Sequence, residues 1–153
     1  MAEVLSIWIK RAHGGVMDAV DAATLVAGKG VEGSANQGGR RQVTIVDEAA
    51  WKRACRDVGA EVDPKERRAN VLVRGVELEG TRGQILRIGS CRILIHGETR
   101  PCNLMDQAQP GLRSAMGPEW RGGVYGEILE GGPIRIGDEV EIQGPGAREK
   151  SRG

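Results

Sequence analysis

Cys102 is the residue whose sequence surroundings most favour chemistry. It lies in the stretch ETRPCNLMD, directly after Arg100 and Pro101. Pro101 cannot donate a ladder hydrogen bond, so this stretch does not read as the interior of a strand. Arg100 places a permanent cation two residues from the thiol, and a nearby cation favours the thiolate, which is the nucleophilic and metal-binding form. The pattern indicates a reactive Cys102, while the local residues leave a surface cysteine in a turn as an equal alternative.

The other two cysteines have apolar surroundings. Cys55 falls on the apolar face of a helix predicted over residues 47–59, and Cys91 shares strand parity with Ile93 and Ile95. Both are predicted to be core residues, because a cysteine without a charged neighbour packs as a small hydrophobe. Three cysteines in a chain without a signal-peptide pattern fit a reducing compartment, so we expect a cytoplasmic protein.

The two histidines, His13 and His96, give a weaker signal. A zinc site needs several Cys or His ligands at short spacing, and the sequence has no such cluster. Both histidines are interpreted as structural or solvent-facing. A hydrolase dyad of Cys102 and His96 stays open, although the sequence shows no carboxylate that would orient the histidine.

A glycine-rich stretch over residues 28–39 matches two phosphate-binding patterns by letter only. Residues 28–33 have the spacing of a dinucleotide fingerprint, but SANQGGRR follows where that motif requires a helix. Residues 33–38 have P-loop glycine spacing without the Lys-Ser/Thr pair. The stretch therefore favours a flexible turn, and its end at Arg40-Arg41 offers guanidinium groups to some other anion.

The whole-chain properties limit the possible classes of protein. With 153 residues the chain fits a single domain. Its net charge of +1 gives no support for a nucleic-acid partner, and no apolar run is long enough to cross a membrane.

Short β-type runs punctuated by glycine dominate the chain. Seven of them read VLSIWIK, RQVTIVD, NVLVRGVELEG, QILRIG, CRILIHG, GVYGEIL and DEVEIQG. The helix over 47–59 begins at a capping Asp47 and ends at Gly59, and a short helix is predicted after Asp63. We predict a mainly β fold, an antiparallel β-barrel with one longer and one or two short helices, over residues 1–143. Residues 144–153 have no apolar periodicity and are predicted to be a disordered tail.

Several segments resemble the MOSC family, named after the C-terminal domain of molybdenum cofactor sulfurases. The resemblance is carried by RPCNLMD, PGLRSAM and WRGGVYGEILEGGPIRIGDEVEI, with GVEGSANQGGRRQVTI and RRANVLVRGVELEGTRGQILRIGSCRILI upstream in the same order. It covers residues 30–142 and implies a β-rich barrel, in agreement with the strand pattern.

The resemblance also implies site residues. Cys102 matches the family cysteine that carries sulfur as a persulfide or ligates the molybdenum of the molybdopterin cofactor. The other matching positions are Arg40, Asn70, Arg100, Arg121, Gly122 and Gly123. The arginines, chiefly Arg40 and Arg121, are expected to hold the cofactor's phosphate end, since a guanidinium pairs bidentately with phosphate. The asparagine is expected to bind the pterin or fix its loop, and the glycines to let the backbone approach the ligand; loop geometry alone is the alternative for these three residues.

The implied function is sulfur transfer or reduction of N-hydroxylated substrates through Cys102, and the alternative is a non-catalytic module that stores or delivers molybdopterin. Larger sulfurases contain a pyridoxal-phosphate domain, for which this chain has no room, so pyridoxal phosphate is not expected here. A separate sulfur donor (a cysteine desulfurase) and an acceptor molybdoenzyme are the expected partners. One departure is Ser34, which follows Gly33 where many relatives have Asp.

Overall fold

The computed structural model describes residues 2–12, 15–35 and 37–144. The described residues form eleven strands: β1 (Glu3–Lys10), β2 (Met17–Val20), β3 (Ala22–Val26), β4 (Gly30–Val31), β5 (Val43–Asp47), β6 (Val71–Arg74), β7 (Ile85–Ile88), β8 (Cys91–Glu98), β9 (Val124–Glu130), β10 (Gly132–Arg135) and β11 (Val140–Gln143). This part of the chain also contains three α-helices, α1 (Glu48–Val58), α2 (Asn103–Ala108) and α3 (Leu112–Ala115), and two 3₁₀ turns, Pro64–Arg67 and Pro118–Trp120. The mainly β prediction is confirmed.

The strands form two sheets. The larger sheet has the order β11-β7-β8-β9-β5-β6-β1-β2, and the smaller one has the order β10-β3-β4. Their pairs are antiparallel except β5–β6, which is parallel because α1 carries the chain back to the same edge before β6 begins.

The predicted closed antiparallel barrel is not what the described residues form. The larger sheet ends at β11 on one side and β2 on the other. The start of β1 reaches the turn before β11 through one isolated bridge, Glu3 with Glu139, supported by a 2.9 Å hydrogen bond from Val4 N to Asp138 O. A single bridge is not a ladder, so the curved sheet stays open. The strand pattern could predict strands but not whether the two ends pair.

Helix α1 follows its sequence signals closely. Asp47 Oδ2 accepts a 3.2 Å hydrogen bond from Ala50 N at the first turn, and Gly59 ends the helix with φ of 71°. Trp51 and Cys55 of α1 lie in one buried cluster with Met105 of α2 and Leu112 of α3. The helices therefore share one apolar cluster, which packs the segment after Cys102 against α1.

The predicted core positions of the two buried cysteines are confirmed. Cys55 lies in the helical cluster and Cys91 in the main core of the sheet, whereas Cys102 is exposed. The predicted tail falls on residues 145–153 apart from Gly144, and those residues, like His13, lie outside the described part of the chain. No described helix is long and apolar enough to cross a membrane.

Candidate functional site

Cys102 opens onto a small cavity between the ends of several elements. The cavity has a volume of about 150 Å³ and lies where β1 ends, β5 begins and the Pro64–Arg67 turn meets the cysteine loop. It is lined by Lys10, Arg41, Thr44, Arg67, Arg68, Ala69, Thr99, Arg100, Cys102, Leu104 and Met105. We call it the Cys102 pocket.

The charged residues that line the Cys102 pocket are positive. Among the described residues that line it, five are cations and none is a carboxylate. Of the ion pairs formed within the described residues, none involves any of these five cations. Although the net charge of the chain is only +1, unpaired positive charge is concentrated around its exposed thiol. Such a concentration attracts an anion.

Arg67 is the deepest cation of the pocket. Its side chain is buried, and it donates from Nε to Gly122 O at 2.8 Å and from Nη2 to Thr99 O at 3.1 Å. Burial, followed by the Arg41 cation, lowers the pKa of Arg67 to about 10, while the Cys102 thiolate acts in the opposite direction. The two carbonyl oxygens accept hydrogen bonds from Arg67 but do not neutralise its charge, which a bound anion would do.

Gly122 and Gly123, the glycines singled out by the family resemblance, allow close backbone packing next to Arg67. A Cβ atom on Gly122 would lie 2.3 Å from Thr99 O, and one on Gly123 would lie 2.1 Å from Ile45 O. Gly123 also has φ of 90°, which side chains rarely adopt. Only glycine at these two positions lets the backbone after Trp120 approach Thr99 and β5 so closely. That approach places the Gly122 carbonyl oxygen within hydrogen-bond distance of Arg67.

Lys10 lies at the end of β1 and is half-buried. Burial lowers its pKa, and the cations of Arg68, Arg41 and Arg67 lower it further, while the Cys102 thiolate raises it. Ser34, the residue that departs from the family pattern, is buried and its Oγ accepts from Lys10 N at 3.2 Å. The serine therefore fixes the backbone of the strand end that carries this lysine.

The remaining polar lining is also held in place. Arg68 donates from Nη2 to Gly15 O at 2.6 Å, and the Arg41 guanidinium lies 5.6 Å from the centre of the Tyr125 ring. Thr99 is 3% exposed, and its Oγ1 has no hydrogen-bond partner among the described residues.

Two arginines that the resemblance singled out are not part of this lining. Arg40 is exposed outside the pocket. Arg121 is mostly buried, and its guanidinium donates to Asp57 Oδ2 at 2.5 Å and to Glu119 Oε1 at 3.0 Å. The hydrogen bond to Asp57 raises the pKa of Arg121 above its usual value. The side chain thereby ties the Pro118–Trp120 turn to α1.

Asn70 is not part of the pocket lining, but it follows the lining residue Ala69 and bonds to the lining residue Thr44. Its Oδ1 accepts from Thr44 N at 3.0 Å and from Thr44 Oγ1 at 3.2 Å, and its Nδ2 donates to Trp8 O at 3.4 Å. These bonds join β1 and β5 across the start of β6. Of the two readings of Asn70, this geometry favours fixing the loop that follows Arg67 and Arg68.

His96 lies apart from the Cys102 pocket. Its Nε2 is 3.1 Å from Glu127 Oε1, so the orienting carboxylate that the sequence did not reveal is present. However, His96 does not line the pocket, and the geometry gives no support to a dyad with Cys102. Within the described residues, no group of three His, Cys, Asp or Glu side chains is placed to hold a metal ion.

Sequence reasoning missed Lys10, Arg67 and Arg68 as site residues. The available signal was the pair Arg67-Arg68, which begins four residues after the cap at Asp63 and shortly precedes Asn70. A basic pair inside a turn usually means a solvated surface, and only the fold shows that one of the two side chains is buried.

The sequence of the chain matches the model of a known protein family. The MOSC domain model matches residues 10–141, which is most of the chain. The chain belongs to the MOSC domain family. The matched region contains every residue that lines the Cys102 pocket.

Solved structures share the fold at low sequence identity. The YuaD protein from Bacillus subtilis superposes with a TM-score of 0.78 at 21% identity, covering 94% of this chain and 97% of that one. YiiM from Geobacillus stearothermophilus gives 0.70 at 15% identity, with 93% and 75% coverage. YiiM from Escherichia coli gives 0.67 at 17% identity, with 92% and 69% coverage. No curated protein matches this chain in sequence.

One prediction concerns the three thiols of this MOSC domain. Alkylation of the folded protein at neutral pH should label Cys102 at least about tenfold faster than Cys55 or Cys91, because reagents reach an exposed thiol and not a buried one. Peptide mass mapping over a time course gives the three rates. Unfolding in denaturant is the control, since it should make the rates similar. Faster labelling of either buried cysteine in the folded protein would contradict the assignment.

Proposed function

We propose that this MOSC domain binds the molybdenum cofactor with an anionic end in the Cys102 pocket. The observation that carries the proposal is the buried cation of Arg67 beside an exposed thiol. Among the described residues, Arg67 has no ion-pair partner, and the pocket lining has five cations and no carboxylate. Membership of the MOSC family supplies the cofactor class.

The residues present fit one end of such a group. Cations and a hydroxyl suit phosphate, oxo or sulfido oxygens and sulfurs, and a thiolate is a competent sulfur carrier and soft-metal ligand. Sites that enclose a whole drug-sized molecule are roughly 300–1,000 Å³. The Cys102 pocket, at about 150 Å³, would enclose only the group next to the thiol. The rest of the cofactor would lie along the surface, where exposed Arg40 is available to its phosphate end.

The main residues of the Cys102 pocket have distinct roles in this proposal. Cys102 carries sulfur as a persulfide or ligates the metal, and Arg67 and Arg68 stabilise negative charge on the group beside it. Lys10 and Arg100 complete the cationic wall. When bound, the cofactor supplies the metal that accepts sulfur or reduces an N-hydroxylated substrate. Sulfur would come from a separate donor protein, because the chain provides only the thiol.

Metal analysis and intact mass of protein purified from a molybdenum-competent host test the proposal. Bound molybdenum with the pterin supports cofactor binding, and the added mass of one sulfur atom at Cys102 supports a persulfide carrier. Cofactor that stays bound after Cys102→Ser, without any turnover by the parent protein, would favour the storage and delivery alternative. Protein that holds neither molybdenum nor extra sulfur would count against the proposal.

A simple anion should stabilise the protein through the same cations. Molybdate at about ten times its Kd should contribute about 1.4 kcal/mol of stability, which raises Tm by about 3–6 °C in a domain of this size. Differential scanning calorimetry measures the shift, and chloride at equal ionic strength is the control for screening. Equal shifts with chloride and molybdate would show that the pocket does not select a multivalent anion.

A further inference from the structure

The Cys102 pocket has the size of a small inorganic anion. Its volume of about 150 Å³ is the space that about five water molecules take in the liquid. A thiosulfate dianion, which is a tetrahedral sulfonate with one outer sulfur atom, is of this size. The thiol of Cys102 is exposed and belongs to the lining, so an anion in the pocket lies beside it. The pocket can therefore take a whole small reactant as well as one end of a larger cofactor.

Arg67 has one guanidinium nitrogen left for such an anion. Its Nε donates to Gly122 O and its Nη2 donates to Thr99 O, whereas Nη1 makes no hydrogen bond within the described residues. The side chain is only 5% exposed, and it lines the pocket. Because the two carbonyl oxygens fix the guanidinium in place and a buried donor without a partner costs free energy, Nη1 is a preformed contact for an oxyanion.

The cations of the pocket also act on the thiol itself. Lys10 and Arg67 both lie close enough to Cys102 to interact with its charge. Four of the five cations are arginines, which stay protonated throughout a reaction. Since the described lining contains no carboxylate, a divalent anion is favoured over a monovalent one. The reactant class that this lining fits is a dianion whose transferable atom meets Cys102.

We propose that Cys102 accepts sulfur directly from thiosulfate, which gives this domain a thiosulfate sulfurtransferase activity. The inference rests on the proposed function, because it uses the same thiol as the sulfur carrier. It adds a small-molecule route for loading Cys102 beside the route through a donor protein. The feature that selects thiosulfate is the juxtaposition of an exposed thiol and the free Nη1 of Arg67 in a cavity of anion size.

The transfer is a displacement at sulfur. In its thiolate form, Sγ of Cys102 attacks the outer sulfur of thiosulfate. A new S–S bond forms at the cysteine as the S–S bond of thiosulfate breaks, and sulfite leaves with the electron pair of the broken bond. The cysteine sulfur is oxidised and the sulfonate sulfur is reduced to the same extent, so no other oxidant is required. The pocket cations hold the sulfonate oxygens while charge develops on the leaving sulfite.

Intact mass and sulfite release after incubation with thiosulfate test this inference. Protein that has been reduced and freed of reductant should gain the mass of one sulfur atom at Cys102 and release an equimolar amount of sulfite. Cyanide, which removes sulfur from a persulfide as thiocyanate, should convert the transfer into steady turnover. Cys102→Ser should give neither product. Molybdate should inhibit competitively, because both anions use the same cations.

Variants of the pocket cations separate the anion contact from the thiol. Arg67→Met should raise the KM for thiosulfate by about ten- to a hundredfold. Arg100 is exposed in the lining, so Arg100→Met should fold normally and raise KM by about two- to fivefold. Labelling of Cys102 by iodoacetamide, a neutral reagent, should change much less than KM in both variants. Arg135→Met, which removes an exposed cation of β10 outside the lining, should change neither measurement.

Other results would overturn the inference. Loading of Cys102 by glutathione persulfide but not by thiosulfate would exclude the inorganic donor and leave the proposed function intact. Thiosulfate that competes with molybdate but releases no sulfite would show that the pocket only binds the anion. Equal KM values in the parent, Arg67→Met and Arg100→Met would place the thiosulfate elsewhere. Loading by neither donor would count against the proposed function as well.

Discussion

Replacing Cys102 with serine is expected to abolish sulfur or molybdenum attachment while leaving the fold and most anion affinity intact. Serine keeps the size of the side chain but loses the soft thiolate that forms persulfides and ligates metals. The residue is exposed, and its side chain makes no hydrogen bond as the cap residue before α2, so stability should change by less than about 0.5 kcal/mol.

Intact mass and metal content of the variant, beside those of the parent, measure the first expectation. Urea denaturation and molybdate titration measure the second. Cys55→Ser and Cys91→Ser are the matched controls. Because both of these thiols are buried, the two variants should retain the full sulfur or metal content of the parent. A Cys102→Ser protein that carried as much sulfur and molybdenum as the parent would show that the chemistry belongs elsewhere.

The sequence predicted Cys102 because its signal is local. A cation and a proline next to a thiol can be read without knowing the fold, and the apolar spacing around Cys55 and Cys91 is equally local. Helix α1 was predictable for the same reason, since its cap at Asp47 and its stop at Gly59 are encoded within a few residues. In each case the interaction that decides the outcome spans fewer than about four residues of chain.

The cationic pocket was not predictable in the same way, because its contacts are long-range. Arg67 depends on Gly122 and Thr99, which are 55 and 32 residues away along the chain. Arg121 looked like a phosphate ligand from its motif, yet Asp57, 64 residues away, takes its guanidinium. The openness of the larger sheet depends similarly on whether distant strand ends pair. A local pattern contains none of this information.

Replacing Arg67 with methionine is expected to weaken anion binding by about ten- to a hundredfold, since a charge-assisted hydrogen bond contributes on the order of 1.5–3 kcal/mol. The change in the free energy of unfolding should be smaller. Methionine leaves the carbonyls of Gly122 and Thr99 without their donor, but it also removes a buried charge that no carboxylate neutralises. The loss of affinity should therefore exceed what any loosening of the fold explains.

Isothermal titration with molybdate, alongside urea denaturation, separates these two effects, and two other arginines serve as controls. Arg40→Met lies outside the pocket and should change neither molybdate affinity nor stability appreciably. Arg121→Met loses its ion pairs to Asp57 and Glu119, so it should lower stability more than affinity. Arg67→Lys should recover part of the affinity, because it restores the charge without the two-pronged geometry. The opposite result, in which Arg67→Met binds molybdate as tightly as the parent while Arg40→Met does not, would mean that the glycine-rich loop holds the anion. The buried cation of Arg67 would then serve only to join the Pro64–Arg67 turn to the carbonyl oxygens of Gly122 and Thr99.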